Sequence, residues 1–439
     1  MQCERKKNMQ TNIINYAKPS AYPKTPAYPR MSSYPKTSAY VNNIAYAKST
    51  APAFRNELAI SRRSLIFGLS YALDIAGKNN LSHSKSTAYL SVLTARELGL
   101  AEDEILDIYY AALLHDIALS SKYNRLRHCI DSENMIQCLP MSAAVSEYVY
   151  YHHEYYDGSG VFGLSGGNIP IGAQLICLAS DFDDFFGKRF DLFDRTLFLH
   201  INDWLNVNKS MFGPALIRAF ENLIKRESFL LDYFNTETKY TFSSKLMVSD
   251  QTYYNYDDVI KFAHCFASII DRSSPYTFNH SQGVANLAKK AAAYLKYSSQ
   301  TQDKMYIAGL LHDIGKLHVS TDILHKNGAL SPDERFEMNK HTYFTRKILE
   351  QVDGFEDIVN YAANHHEKVD GTGYPYRIGG NALCDLEKAM AICDVYQALS
   401  EPRPYRDSLP AEKVWSIIHD MAATGHLDKK LAAILKNAF

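Results

Sequence analysis

The chain has 439 residues, of which 46% are hydrophobic, and its formal net charge is −1. This length exceeds what one hydrophobic core usually serves, so two domains are expected. Residues 1–50 hold eight Lys or Arg against one Glu, which leaves the rest of the chain at about −8 and excludes a globally basic binder of DNA or RNA polymers.

The first 55 residues repeat tyrosine with proline, serine and lysine. Tyrosine recurs every six residues from position 16 to position 46, and branched apolar side chains are scarce. Such a composition offers little apolar surface to offset the entropy of ordering. Residues 1–55 are therefore predicted to be a disordered, low-complexity tail.

From about residue 56 the apolar pattern becomes helical. Segments such as SLIFGLSYALDIAG and DVIKFAHCFASIID place apolar residues at i, i+3 and i+4, whereas the alternation typical of strands is nearly absent. Clusters of Gly and Pro such as DGTGYP mark the loops. The pattern predicts an all-α protein in which helices pack on helices.

The helical region repeats itself along the chain. His83 recurs as His280, 197 residues later, and after one 16-residue difference in length the spacing becomes 213, as from Asp181 to Asp394. A constant register over so many positions indicates two tandem copies of one helical domain. The predicted boundaries are 56–235 for the first copy, 236–249 for a polar linker and 250–439 for the second copy.

Histidine and aspartate dominate the repeated positions of the second copy. Imidazole and carboxylate together suit a divalent metal such as Fe, Mn, Co, Ni or Zn. Seven ligands are too many for one ion but fit two ions that share a carboxylate, and Asp313, expected beside His312 on one helix, is the natural bridge. The candidate metal ligands are His280, His312, Asp313, His341, His365, His366 and Asp394.

The first copy carries the same residue types at the same seven positions, although most of the surrounding residues differ. Packing alone would have tolerated leucine at these positions, so their recurrence indicates a shared chemical role. A candidate second metal site therefore consists of His83, His115, Asp116, His128, His152, His153 and Asp181.

The seven cysteines are scattered and form no CxxC pair, which argues against a disulfide framework and against a thiolate zinc site. Free thiols fit a reducing compartment, so a cytoplasmic protein is expected. No apolar run approaches the roughly 18 residues that a membrane span requires, and no span is predicted.

Several segments of the second copy resemble the HD-GYP family of HD-domain metal-dependent phosphohydrolases: VANLA, LLHDIGKLHV, NKH, NHHEKVDGTGYP and AICDVYQALSEPRPYR. The resemblance covers nearly all of residues 256–439. It implies an all-helical fold, a centre of two or three Fe or Mn ions, and hydrolysis of cyclic dinucleotides, chiefly cyclic di-GMP. Members with a third metal carry Glu four residues before the first ligand, where this chain has Tyr276, so a binuclear centre is expected.

The predicted catalytic residues are Asp313 and Lys316. Two metals lower the pKa of a bridging water, and the resulting hydroxide is expected to attack the phosphodiester in line. Lys316, one turn beyond Asp313, is expected to offer a cation to the phosphate oxygens.

Candidate substrate contacts lie in the motif DGTGYPYRIGG and in the later PRPYR. Glycines permit a close approach of backbone to ligand, the tyrosine is suited to stacking or hydrogen bonding, and arginines suit a phosphate or a guanine edge. Asp370 is expected to cap the loop, and Glu367 to orient a ligand histidine. The predicted substrate-binding residues are Lys316, Gly371, Gly373, Tyr374, Arg403 and Arg406.

The first copy lacks most of these substrate-binding groups. It has Leu119 at the lysine position, Val161 and Phe162 in place of the Tyr-Pro pair, no counterpart of residues 320–335, and no PRPYR segment. Ligands without substrate contacts predict a degenerate domain with a regulatory role, through a homodimer, a protein partner or sensing; a packed scaffold is the alternative.

The function predicted from the sequence is therefore hydrolysis of cyclic di-GMP to linear pGpG and, after a second cut, GMP. Two alternatives remain open at this point: a 3',3'-cGAMP phosphodiesterase, and a receptor that binds a cyclic dinucleotide without hydrolysing it. The intact Lys316 and the complete ligand set favour an enzyme, because a receptor needs no activated water.

Overall fold

The structure is a computed structural model that describes residues 60–77, 82–118, 124–187, 189–190, 194–235, 250–273, 280–402 and 407–439. The predicted tail at 1–55 and linker at 236–249 lie outside the described residues. So do four side chains named in the sequence predictions: Leu119, Tyr276, Arg403 and Arg406.

The first copy folds into helices joined by short loops. Serine and asparagine side chains cap several of them, since the hydroxyl of Ser61 and the amide oxygen of Asn124 accept backbone N–H groups of the first turn. The α-helices are α1 (Arg62–Ala76), α2 (His83–Glu97), α3 (Glu102–Leu114), α4 (Arg125–Ile136), α5 (Ala143–Tyr151), α6 (Ile171–Phe186), α7 (Leu197–Asn208), α8 (Pro214–Ile224) and α9 (Glu227–Phe234).

The second copy repeats this order of helices. Residues 320–335, which the first copy lacks, contain one short helix and the start of a longer one. The longer helix is capped by Ser331 and Glu334, which satisfy each other's backbone N–H groups. The α-helices are α10 (Tyr256–Ser273), α11 (His280–Tyr294), α12 (Ser299–Leu311), α13 (Thr321–Leu324), α14 (Pro332–Leu349), α15 (Glu356–Ala363), α16 (Asp385–Ser400), α17 (Ala411–Ala423) and α18 (Lys429–Leu435).

The prediction of an all-α fold is confirmed. Within the described residues, the only strands are the two-residue segments β1 (Ile60–Ser61) and β2 (Tyr253–Tyr254), which pair antiparallel immediately before α1 and α10. Two 3₁₀ turns, Gly166–Asn168 and Ile314–His318, complete the regular structure of this part of the chain. No helix among the described residues combines the length and apolar character needed to cross a bilayer.

Close packing of α11 on α12 fixes the part of the second copy that carries the first ligands. Gly309 of α12 makes this approach possible, because a Cβ there would lie 2.5 Å from the Cα of Ala285 on α11. The corresponding helices of the first copy, α2 and α3, pack on each other in the same way. The buried apolar residues form one continuous core that runs through both copies.

Helix α1 of the first copy packs against the second copy. It contacts α14 and the 3₁₀ turn Ile314–His318, and a Cβ on Gly68 would lie 2.5 Å from the Val352 side chain. The backbone N–H of Asp353 donates to the Ser64 hydroxyl at 2.7 Å. The first copy therefore touches the turn that carries Lys316.

A polar cluster also joins the two copies at the start of α1. The Arg62 Nε donates to the Asp250 carboxylate at 2.7 Å, and the Tyr110 hydroxyl donates to the same oxygen. Nearby, the Tyr254 hydroxyl donates to the backbone oxygen of Pro140 at 2.9 Å. Burial opposes the charge of Asp250, but the hydrogen bonds from Arg62 and Tyr110 lower the pKa of its carboxyl to about 2.

Candidate metal centre

All seven predicted ligands of the second copy lie within the described residues, and the fold brings them together. Three of them lie in three helices, and the other four lie in the turns that follow two further helices. His280 begins α11, His312 and Asp313 follow α12, His341 lies in α14, His365 and His366 follow α15, and Asp394 lies in α16.

The prediction that His312 and Asp313 share a helix is wrong. Helix α12 ends at Leu311, and Asp313 precedes the 3₁₀ turn that contains Lys316. This turn lies directly on α14, since a Cβ on Gly315 would be 1.9 Å from the backbone oxygen of His341. A continued α-helix would collide with α14, so the chain changes direction at the two ligands.

A buried hydroxyl holds this turn in place. The Thr345 hydroxyl donates to the His312 carbonyl at 2.9 Å and accepts the Gly315 N–H at 3.1 Å. In the first copy, the Ser132 hydroxyl donates to the His115 carbonyl at 3.4 Å from the equivalent helix position. Both contacts satisfy backbone groups at the end of a helix.

Asp313 lies between two sets of imidazoles. Its Oδ2 is 3.2 Å from the Nε2 of His312, whereas its Oδ1 is 3.5 Å from the Nε2 of His341 and 3.9 Å from that of His365. Each carboxylate oxygen therefore faces a different set of ring nitrogens. This is the arrangement expected of a carboxylate that bridges two cations.

Asp394 completes the other half of the cluster. Its Oδ1 is 3.2 Å from the Nε2 of His280 and 3.8 Å from that of His312, and its Oδ2 is 4.0 Å from the Nδ1 of His366. His280, His312 and Asp394 form one group, and His341, His365 and His366 form a second group, with ligand atoms within 4.8 Å of one another in each.

The orientation of the histidines fits a cation better than it fits internal hydrogen bonding. The Nδ1 of His341 and the Nδ1 of His365 are 2.7 and 2.6 Å from the carbonyls of Met338 and Ala362, which assigns the ring proton to Nδ1. Their Nε2 atoms then face each other as lone pairs at 3.4 Å. The Nε2 of His312 is buried without a hydrogen bond among the described residues. These inward lone pairs are suited to metal ligation.

Burial and neighbouring charge set the protonation of the cluster. Burial lowers the pKa of His341 to about 3 and that of His365 well below its ordinary value. Burial opposes the ionisation of Asp313, but His312 and Lys316 hold the pKa of its carboxyl well below the usual range. Neutral imidazoles and ionised carboxylates are the forms that bind metal.

His280 is oriented by Glu401, which lies in the motif AICDVYQALSEPRPYR but was not predicted to have a role. Its Nδ1 is 3.3 Å from the Glu401 carboxylate at the end of α16. Burial would lower the pKa of His280, but its hydrogen bonds with Asp394 and Glu401 raise the pKa to about 9. Glu401 lies seven residues after Asp394, on the same face of the helix, and this spacing was the available signal.

Another unpredicted support holds the turn before His365. Asn364 is buried, its amide donates to the Glu387 carboxylate at 2.5 Å, and its side-chain oxygen accepts from Arg346 at 2.9 Å. This chain of contacts connects α14, α15 and α16 behind the ligands. The sequence offered no signal for it, because the three partners are widely separated along the chain.

Lys316 and Tyr374 border the cluster. The Lys316 ammonium donates to Asp313 Oδ2 at 2.5 Å and is 21% exposed. The Tyr374 ring lies against His366, with ring centroids 4.9 Å apart, and its N–H donates to the His366 carbonyl. A cation and an aromatic face therefore flank the same ligands.

The loop that carries Tyr374 is held by its own acidic residues. The Glu367 carboxylate accepts the N–H groups of Tyr376 and Ile378 at 2.8 and 2.9 Å, and Asp370 accepts the N–H and the hydroxyl of Thr372. The loop-capping role predicted for Asp370 is thus observed. Glu367 orients the loop, and within the described part of the chain no hydrogen bond or ion pair joins its carboxylate to a predicted ligand histidine.

The structure explains why glycine is required at two positions of this loop, and neither reason involves a ligand. Gly371 has a φ of +76°, which side chains rarely adopt. A Cβ on Gly373 would lie 2.4 Å from the Lys368 nitrogen and 2.5 Å from the Cα of Glu367. Contact with a ligand therefore stays a prediction for both glycines.

The first copy brings six of its seven predicted ligands into two groups. His83, His115 and Asp116 form one group, and His128, His152 and His153 form the other. Asp181 belongs to neither group, and its role as a ligand stays a prediction. Its Oδ2 instead accepts a hydrogen bond from the Tyr155 hydroxyl at 3.0 Å.

A different carboxylate contacts His83. The Asp183 Oδ2 is 2.8 Å from the Nδ1 of His83, and the buried Tyr233 hydroxyl donates to the other oxygen at 2.7 Å. Burial would lower the pKa of His83, but Asp183 raises the pKa to about 9. The sequence repeat did not reveal this exchange, because it compared equivalent positions only.

Buried histidines and carboxylates on an all-helical scaffold define a candidate metal-dependent hydrolase. The sequence matches the HD domain family twice, over residues 69–216 and 264–431. The chain belongs to this family, which confirms the resemblance derived from the motifs.

Curated relatives share much of the chain. The 3'3'-cGAMP-specific phosphodiesterase 1 of Vibrio cholerae is 28% identical over 408 residues, which are 86% of this chain and 92% of that protein. The 3'3'-cGAMP-specific phosphodiesterase 3 of the same organism is 30% identical over 71% of this chain and 66% of its own length. A cyclic di-GMP phosphodiesterase of Pseudomonas aeruginosa is 34% identical over 36% of this chain and 38% of its own length.

A solved structure has the same fold. The crystal structure of a cyclic GMP-AMP specific phosphodiesterase of Vibrio cholerae matches this chain with a TM-score of 0.66 and 23% sequence identity. The match covers 87% of this chain and 98% of that one.

Proposed function

We propose that this chain is a metal-dependent phosphodiesterase that hydrolyses a cyclic dinucleotide at the second copy. The observation that carries the proposal is the position of Asp313, whose two carboxylate oxygens face separate histidine groups. Its relatives are named as phosphodiesterases of cyclic dinucleotides, and the prediction of an enzyme agrees with them.

Two divalent cations would be held by His280, His312 and Asp394 on one side and by His341, His365 and His366 on the other, with Asp313 between them. When bound, such a pair supplies an activated water and neutralises charge on a phosphodiester. The imidazole and carboxylate donors suit Fe or Mn, as expected from the family resemblance. The binuclear count and the metal identity are part of this proposal.

The protein's own groups would position the substrate. Lys316 offers an ammonium beside Asp313, where it can face a non-bridging phosphate oxygen. Tyr374 offers a ring face beside His366, which suits stacking with a base. In the overall reaction, water adds across one P–O bond, and the cyclic substrate becomes a linear dinucleotide with a terminal phosphate.

The choice between substrates rests on how much of the chain each relative matches. Two relatives named for 3',3'-cGAMP match 86% and 71% of this chain, whereas a third such relative and the cyclic di-GMP phosphodiesterase match 38% and 36%. The two long matches are the reason to propose 3',3'-cGAMP before cyclic di-GMP, the substrate first expected from the motifs. Action in the cytoplasm and a partner for the first copy stay predictions.

Hydrolysis of three nucleotides tests the proposal. Purified full-length chain with Mn(II) or Fe(II) is mixed with 3',3'-cGAMP, cyclic di-GMP or cyclic di-AMP, and products are separated by chromatography. We expect linear product from 3',3'-cGAMP at the highest rate, no product with Asp313→Ala, and normal product with Asp420→Ala, which changes an exposed aspartate on α17. Tight nucleotide binding without product under either metal would favour the receptor alternative instead.

A further inference from the structure

The first copy retains one complete group of inward-facing histidines. The Nδ1 of His152 is 2.5 Å from the Val149 carbonyl, and the Nδ1 of His128 is 3.2 Å from the Ala118 carbonyl. With the ring protons on Nδ1, both Nε2 atoms point into the cluster as lone pairs. Both Nε2 atoms are buried, and that of His152 has no hydrogen-bond partner in the described part of the chain.

An ionisable oxygen adjoins this group. The Asp116 Oδ1 is 3.3 Å from the Nε2 of His128, and the ligand atoms of His128, His152 and His153 lie within 4.8 Å of one another. Three imidazoles and one carboxylate match the donor set of a four-coordinate transition-metal site. The oxygen-only shells that Ca²⁺ and Mg²⁺ prefer are a poor fit to this set.

At the neighbouring position, the Asp181 carboxylate is held by other side chains. The Tyr155 hydroxyl donates to Asp181 at 3.0 Å, and Arg125 Nη1 donates to the Tyr155 oxygen at 3.3 Å. In the second copy, the residues at the Arg125 and Tyr155 positions are Met338 and Lys368. The partners of Asp181 are therefore specific to the first copy.

The histidine of the same position has also changed partner. The Nε2 of His83 is 3.4 Å from the Ser180 hydroxyl, whereas the Nε2 of its counterpart His280 is 3.2 Å from Asp394. The Nδ1 of His83 is 2.8 Å from Asp183, just as the Nδ1 of His280 is 3.3 Å from Glu401. Asp183 is buried and also accepts a hydrogen bond from Tyr233, which fixes it in place. Only His83, His115 and Asp116 remain grouped there, and Asp116 is shared with the complete site.

We infer that the first copy holds a single first-row transition-metal cation, bound by Asp116, His128, His152 and His153. The second cation position is closed by the contacts of Asp181 with Tyr155 and, through it, with Arg125. One cation without a paired neighbour would join α4 to the turns after α3 and α5. This inference concerns the metal stoichiometry of the first copy, and only the total count per chain also rests on the proposed function.

Metal counting in the full-length chain tests this inference. The chain is loaded with Co(II) and freed of excess ion. Bound Co(II) per chain is then measured by elemental mass spectrometry and by visible absorption. We expect three ions per chain. In the double variant His312→Ala, His365→Ala, which removes ligands from both groups of the second copy, we expect one ion, and the further change His152→Ala should remove it.

A second variant opens the closed position. Arg125→Met with Tyr155→Phe removes the guanidinium and the hydroxyl that hold Asp181, and we expect one additional Co(II) per chain. Circular dichroism checks that each variant is folded. If a variant does not fold, anomalous diffraction from wild-type crystals counts the ions in the first copy instead. Loss of all metal from a folded second-copy double variant, or two retained ions in it, would overturn the inference. The metal counts test this inference, whereas the hydrolysis assays test the proposed function, so either one can fail without the other.

Discussion

Replacing Lys316 with methionine separates the charge of this residue from its packing. Methionine keeps an unbranched stem of similar length but removes the ammonium that contacts Asp313 at 2.5 Å. An ammonium about 4 Å from a phosphate oxygen interacts by roughly 4 kcal/mol at an effective dielectric constant of about 20. The side chain is 21% exposed, so solvent reduces this interaction.

The expected loss in kcat is about 10²–10³-fold, or about 3–4 kcal/mol, which is typical for removal of one group that stabilises charge in a transition state. Metal content should stay unchanged, because Lys316 is not one of the predicted metal ligands. The assay measures kcat and KM for 3',3'-cGAMP at saturating Mn(II), together with bound metal per chain.

Lys340→Met is the matched control. Lys340 precedes the ligand His341 and pairs with Glu337 at 2.5 Å on the surface of α14. Exposed ion pairs contribute little, so this variant should change kcat by less than about two-fold. An unchanged kcat in Lys316→Met would refute the role of the ammonium, and a parallel loss of metal would show that the lysine acts through the centre instead.

Three further predictions concern the loop, the metals and the contact between the copies. Gly373→Ala should raise the KM for the nucleotide by displacing Tyr374, since the added Cβ would lie 2.4 Å from a backbone nitrogen. Gly379→Ala is the control and should leave the KM unchanged, because the nearest atom to its Cβ is 4.0 Å away. Chelation should abolish hydrolysis and lower the melting temperature, because ions at about 100 times their Kd stabilise the fold by about 2.7 kcal/mol each; an unchanged melting temperature after verified metal removal would contradict this. The depressed pKa of Asp250, about 2, stabilises the fold above its unfolded pKa near 4, and this contribution is lost as the pH falls toward 2. Asp250→Asn should therefore lower stability at pH 7 and flatten the decline between pH 4 and pH 2 in acid titrations followed by circular dichroism, and an equally steep decline would disprove the assignment.

The clustering of the seven histidines and aspartates of the second copy could be predicted because the repeat constrains them. The two copies can be compared position by position. A histidine that recurs at the equivalent position while its neighbours change indicates a shared role, even without a structure. The same comparison does not describe the surroundings of Asp181. Equivalence in sequence does not reveal that Tyr155, 26 residues earlier in the chain, captures this carboxylate.

Local geometry was harder to predict than ligand identity. The helical pattern continues smoothly through His312, yet α12 ends before it, because Gly315 brings the next turn onto the α14 backbone. The glycines of the Tyr374 loop illustrate the same limit. Their residue type indicated a special backbone, but only the packed structure shows that Gly373 makes room for the protein's own chain.

Anomalous diffraction from crystals of the full-length chain grown with Mn(II) tests the central claim most directly. The account predicts two peaks in the second copy, about 3.5–4 Å apart, with one oxygen of Asp313 directed at each. A single peak there, or peaks that leave Asp313 without a metal contact, would contradict it.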